Sequence, residues 1–163
     1  MENGKTISSE QFIPLTRGTA LLGLDLGERT IGAAVCDESW LIASPLKTVV
    51  RRAFQTDMEA LEKLLQGRKI GGIVSGLPLE MSGNEGERAR VTRLLAERIA
   101  AHFDLPLCFH DERWSSKAVE RFMIREGNYS RKKRKELIDN SAAAYILQGF
   151  VDAANGTEIP AEF

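Results

Sequence analysis

The chain has 163 residues, of which 43% are hydrophobic and 28% charged, and its formal net charge is −1. That is the length of one domain with the composition of a soluble globular protein, enough to bury a hydrophobic core without covalent staples. Near-neutral charge argues against a generic polybasic nucleic-acid binder, so any such role must rest on how the charge is distributed.

No apolar run approaches the roughly 18 residues that a membrane span needs. The start, MENGKTISSEQFIPLTRG, lacks the basic and apolar segments of a secretory signal. A cytoplasmic protein without a membrane partner is expected, with residues 1–18 as a polar, flexible leader. Cys36 and Cys108 both lie in apolar contexts. They read as buried thiols of a reducing compartment rather than a disulfide framework.

Residues 20–26 and 31–37 are short apolar runs joined by the polar turn GERT. A third run, 41–50, follows the turn DESW and carries Pro45, which suits a sheet edge. Phe54, Met58, Leu61 and Leu65 then recur at helical spacing, predicting a helix over about 54–66. Residues 69–78 read as a buried strand. Val91, Leu94, Leu95 and Ile99 mark a helix over roughly 85–102, and 105–113 a last strand. A short helix is expected over 115–126 and a longer one over 131–153. Three strands followed by helix–strand–helix–strand–helix predict a mixed five-stranded α/β sheet: an antiparallel meander plus two parallel strands, flanked by helices.

Three acids sit where apolar residues would be easier to place. Asp25 interrupts the first strand, Glu112 ends the last one in FHDERWSS, and Asp139 lies in the last helix. A carboxylate in a low-dielectric core is costly unless paired, protonated or bound to a cation. Residues 142, 143, 146 and 150 share the helix face of Asp139 and are Ala, Ala, Ile and Phe, so that face is turned toward the sheet. Three converging carboxylates would repel one another without a shared cation. An oxygen-only set suits Mg²⁺ or Mn²⁺. Taken singly, each acid has a plainer explanation: turn amides for Asp25, a pair with Arg113 for Glu112, the helix dipole for Asp139. The run Arg131, Lys132, Lys133, Arg134 and Lys135 concentrates positive charge, as a solvated helix start or as a track for a polyanion. The loop at Gly76–Pro78 and the segment Gly83–Gly86 are weaker candidates for phosphate-binding amides.

Four blocks in order, GLDLGERTIGAAVCD, IVSGLPLEMSGNEGERA, DERWSS and IDNSAAAYILQGF, resemble the bacterial YqgF family, also called RuvX-like. The resemblance spans roughly residues 20–153 and departs from the family pattern at Glu28, at Cys36 and at Trp114–Ser116. It implies a ribonuclease H-like nuclease domain over 19–153, followed by a tail at 154–163. It also implies a hydrolase acting on ester bonds, associated with 5′-end maturation of pre-16S rRNA. Carried over residue by residue, the catalytic and metal-binding acids fall on Asp25, Glu112 and Asp139, with Mg²⁺ or Mn²⁺ as cofactor. Arg29, Arg113 and the run 131–135 would contact nucleic acid. The implied partners are RNA or another structured nucleic acid and a pre-ribosomal particle. No dimer interface is announced, so a monomer or weak dimer is expected. The competing functions are a non-catalytic ribosome-assembly or nucleic-acid-binding factor and a Holliday junction resolvase. The phrase GLDLG also opens ATPases of the actin and hexokinase kind, but this chain is under half their length and has no second copy of it.

Overall fold

A computed structural model describes residues 6–111 and 131–156, and of residues 131–141 the backbone alone. The elements in chain order are α1 (Ser9–Thr16), β1 (Ala20–Leu26), β2 (Thr30–Cys36), β3 (Ala43–Pro45), β4 (Val49–Val50), α2 (Phe54–Leu64), β5 (Ile70–Leu77), α3 (Glu87–Phe103), β6 (Leu107–Asp111) and α4 (Arg131–Ala154). They form one mixed sheet in the order β3-β2-β1-β5-β6, with β4 also pairing β2. β1 and β2 are antiparallel, as are β2 and β3, whereas β1–β5 and β5–β6 are parallel. This is the mixed sheet predicted from the order of elements.

The third predicted strand is broken in two. Ala43–Pro45 pairs with Ala34–Cys36, and Val49–Val50 pairs with Thr30–Ile31. Pro45 has no N–H to give and stops the ladder, and the Leu46 N–H bridges the gap to the Ala33 carbonyl at 2.8 Å. The predicted helix over 115–126 lies outside the described residues.

The alternation of the strands splits the core into two layers. Leu22, Leu24, Leu26, Ile31, Ala33 and Ile73 face α2 and α3. Leu21, Ala34, Cys36, Val74 and Cys108 face α1 and α4, meeting Phe12, Ala143, Ile146, Leu147 and Phe150. Helix α3 buries Ala89, Thr92, Ala96, Ile99 and Ala100, while Val91 and Leu94 of the predicted face stay 49% and 56% exposed. Both sets satisfy helical spacing. The alanine set wins because small side chains let the helix lie closer to the sheet.

Residues 1–18 were expected to form a flexible leader, and the structure corrects that for the part it describes. Ser8 caps α1 by accepting the Gln11 N–H at 3.3 Å, and Phe12 is fully buried. Its ring lies edge-on to Phe150 with centroids 5.5 Å apart and packs on Gly72, where a Cβ would sit 2.7 Å from the ring. The Ile7 N–H donates to the Leu107 carbonyl at 2.9 Å, so the chain before α1 pairs with the outer edge of β6. The far end of α4 is tied in as well. Arg17 donates to Asn155 Oδ1 at 2.7 Å and to the Ala154 carbonyl at 3.2 Å, and its guanidinium lies 4.4 Å above the Trp40 ring. Trp40 is buried at a φ of 56°, donates its indole N–H to the Thr19 carbonyl and accepts from Asn155 Nδ2. Asn155, assigned to the tail from sequence, is part of this knot.

Candidate functional site

The site builds from the C-terminal end of β1. Asp25 is half-buried and interrupts an otherwise buried strand. It is opposite Gly32 of β2. A Cβ at Gly32 would lie 3.4 Å from the Asp25 Cβ and 3.7 Å from the Ala143 Cβ, so glycine there leaves a space between the acid and α4. Two residues earlier, Gly23 brings the helix onto the strand. A Cβ at Gly23 would lie 2.8 Å from the Leu147 Cβ and 3.1 Å from the Ala143 carbonyl oxygen.

Helix α4 runs antiparallel to β1, because its C-terminal end bonds Arg17 and Trp40, and Trp40 in turn bonds Thr19 just before that strand. From Ala143 back to Asp139 is four residues, about 6 Å of helix rise. From Gly23 to Asp25 is two residues, about 6.6 Å of strand rise. Ala143 is beside Gly32, the residue opposite Asp25, and the earlier part of α4 runs on toward the C-terminal end of β1. The side chain of Asp139 and the whole of Glu112 and Arg113 lie outside the described residues. Among the described residues, no three His, Cys, Asp or Glu side chains form a metal-binding group.

His110 in β6 pairs with Gly76 and packs under α4, where a Cβ at Gly149 would lie 3.0 Å from its Nε2. The strand alternation puts it on the Asp25 face. Burial holds its pKa below the ordinary value, opposed by the charge of Asp111. The folded state thus prefers the neutral ring, and stability is lost as pH falls below the unfolded value of about 6.5 toward the depressed folded one. We expect thermal melts in EDTA to fall between pH 7 and pH 5 more steeply for the wild type than for His110→Gln. Equal slopes would contradict this. Both cysteines are free and buried, and burial pushes the Cys108 thiol up to about 11.

The turn after Asp25 holds a residue that sequence reasoning missed. Arg51 donates from its guanidinium to the Gly27 carbonyl at 2.7 Å and the Glu28 carbonyl at 3.4 Å. Its backbone N–H donates to the Arg29 carbonyl at 2.8 Å. Nothing in the sequence marks it, because the contact exists only through the register of β4 on β2. Arg29 itself is exposed in the same turn. The basic run 131–135 forms the first turns of α4, at the Asp25 end of the sheet. Loop phosphate sites are not supported at Gly83–Gly86: the Glu80 carboxylate packs against Gly86, with Glu85 and Glu87 on either side of it. The start of α3 is already faced by carboxylates.

The family model described as "RuvX: Holliday junction resolvase" matches residues 19–153. The chain belongs to the RuvX family. A relative from Sphingopyxis alaskensis is 50% identical over 139 residues, covering 85% of this chain and 90% of that protein. One from Rhodospirillum rubrum is 48% identical, covering 85% and 86%. Both are named "Putative pre-16S rRNA nuclease". Among solved structures, the Thermus thermophilus RuvC structure is similar at a TM-score of 0.48 and 17% identity, covering 85% of this chain and 98% of that one. The same protein in complex with a Holliday junction substrate gives 0.47 and 17%, with 85% and 97% covered. By the family's description and the relatives' names, RuvX is a nuclease family, one of hydrolases acting on the ester bonds of nucleic acid, and α1 lies outside the matched segment. No helix among the described residues is long and apolar enough to cross a membrane.

Proposed function

We propose that this RuvX chain is a divalent-metal-dependent nuclease that matures the 5′ end of pre-16S rRNA in the cytoplasm. What supports the proposal is the antiparallel seat of α4 on β1, with Ala143 beside Gly23 and beside Gly32, the residue opposite Asp25. Asp25, Glu112 and Asp139 offer oxygen donors only, which suits Mg²⁺ or Mn²⁺ better than zinc. The space beside Gly32 is consistent with such a group. When bound, the metal supplies charge stabilisation at the phosphoryl oxygens and a more acidic water.

The chain's own residues do the rest. Asp25 is fixed by the β1–β2 ladder, so its carboxylate needs little reorganisation when a ligand arrives. Arg29 and Arg113 contact the phosphate next to the scissile bond. Arg131, Lys132, Lys133, Arg134 and Lys135 attract the RNA backbone without reading its sequence. A monomer or weak dimer acting on RNA, free or within a pre-ribosomal particle, fits this scheme.

Incubating the purified protein with precursor 16S RNA, single-stranded RNA and a four-way DNA junction, each with Mn²⁺ or EDTA, tests the substrate. The expected result is Mn²⁺-dependent cleavage of the precursor near the mature 5′ end. Paired symmetric cuts in the junction alone would make it a resolvase, the activity in the family's description. Binding to RNA without cleavage would make it a non-catalytic assembly factor.

A further inference from the structure

We propose that Arg51 and Arg52, together with Arg29, form a rim for the nucleic-acid backbone on the β2 side of Asp25. The proposal rests on the nuclease reading and extends it by naming where the strand leaves the site. Arg51 holds all three residues of the turn after Asp25: its side chain bonds the Gly27 and Glu28 carbonyls, and its backbone bonds Arg29. The next residue is fixed from the other direction. The Arg52 N–H donates to Asp57 Oδ1 at 2.9 Å, and Asp57 is a buried carboxylate in the first turn of α2. Both arginines therefore leave the chain from pinned backbone, which lowers the entropy lost when their side chains engage a ligand.

The rim is also short of counter-charge. Arg29 and Arg52 are exposed, and neither forms an ion pair among the described residues. Of the arginines elsewhere, Arg90 pairs with Glu87, Arg93 with Glu85, and Arg17 bonds Asn155, while Arg68, before β5, and Arg88, in α3, are exposed without an ion pair among the described residues but lie outside this cluster. The acids near the rim are Glu28, exposed in the turn, and Asp57, buried and committed to the backbone. Arg51 spends part of its five-donor fork on the turn carbonyls, so it both positions the turn and adds charge. Pairing of Thr30 with Val50 puts this cluster beside the C-terminal end of β1, the end at which α4 begins. The cluster therefore lies beside Asp25, where its charge can hold a phosphodiester backbone next to the site. Recognition of this kind is by charge and is sequence-independent.

The test uses a labelled single-stranded RNA oligonucleotide bound at equilibrium over a salt series, with the full chain in an Asp25→Asn background. Arg52→Ala is expected to weaken binding several-fold and to reduce the magnitude of the log–log salt slope by about 0.7, one single-strand phosphate contact. Arg52→Lys should keep the slope. Arg68→Ala removes the same charge from an exposed turn before β5, at the opposite end of the sheet, and should change neither quantity. Truncating Arg52 leaves its backbone bond to Asp57 intact, so the fold is retained; a thermal melt checks it. If Arg52→Ala binds like Arg68→Ala, or the parent does not bind RNA at all, the rim is overturned. The readout needs no turnover, so absence of cleavage by the wild type would sink the nuclease reading and leave this result legible on its own.

Discussion

Asp25→Asn is expected to lower cleavage of RNA by about a thousandfold or more while the protein melts within a few degrees of the wild type. The change keeps the shape and removes one charge and one hard oxygen ligand. Loss of several kcal/mol of charge stabilisation at a phosphoryl centre corresponds to a factor of that order. Stability should hold because β1 is fixed by its ladders to β2 and β5. The neutral amide also relieves repulsion among acids that have no bound cation. Single-turnover cleavage with Mn²⁺ and a parallel melt read both quantities. Full activity would remove Asp25 from the site, and a collapse of the melting temperature would make it a structural residue of the turn.

Phe12→Ala is expected to cost about 3–5 kcal/mol of folding stability, the range for emptying a buried phenylalanine site. The ring is fully buried, edge-on to Phe150 and against Gly72, with α1, α4 and β5 closing around it. Glycine at 72 leaves no side chain that could swing in to fill the void. The loss falls on the seat of α4, the helix that carries position 139, so cleavage should weaken alongside stability. Urea unfolding measures the effect. A change under about 1 kcal/mol would show that α1 is dispensable packing and that the family segment from residue 19 stands alone.

Those two residues mark how far the sequence could be read. Asp25 stood out because a charge in an apolar strand is costly, and Asp139 could be matched to it because helical spacing from 142, 143, 146 and 150 fixes a face. The structure buries Ala143, Ile146 and Phe150 as that spacing requires, adding Leu147 and Val151. Phe12 could not be read in this way. A single aromatic in SSEQFIPLTRG, with Pro14 inside the helix, has no period to detect, and its partners Gly72 and Phe150 are far away in sequence. The edge strand broke where Pro45 interrupts the ladder, which hinted at an edge but not at two pieces. The face of α3 was misplaced because two residue sets fit one period, and only close approach to the sheet decides between them. Arg51 was invisible for a related reason: its role comes from strand register, a long-range property.

The central claim is that Asp25 and its two companion acids hold a catalytic divalent cation, and Mn²⁺ binding tests it most directly. Titrating the purified protein with Mn²⁺ by calorimetry should give saturable binding for the wild type. The variant Asp25→Asn, Glu112→Gln, Asp139→Asn should lose that binding while its melting curve stays cooperative. Equal Mn²⁺ affinity in the two folded proteins would contradict the account.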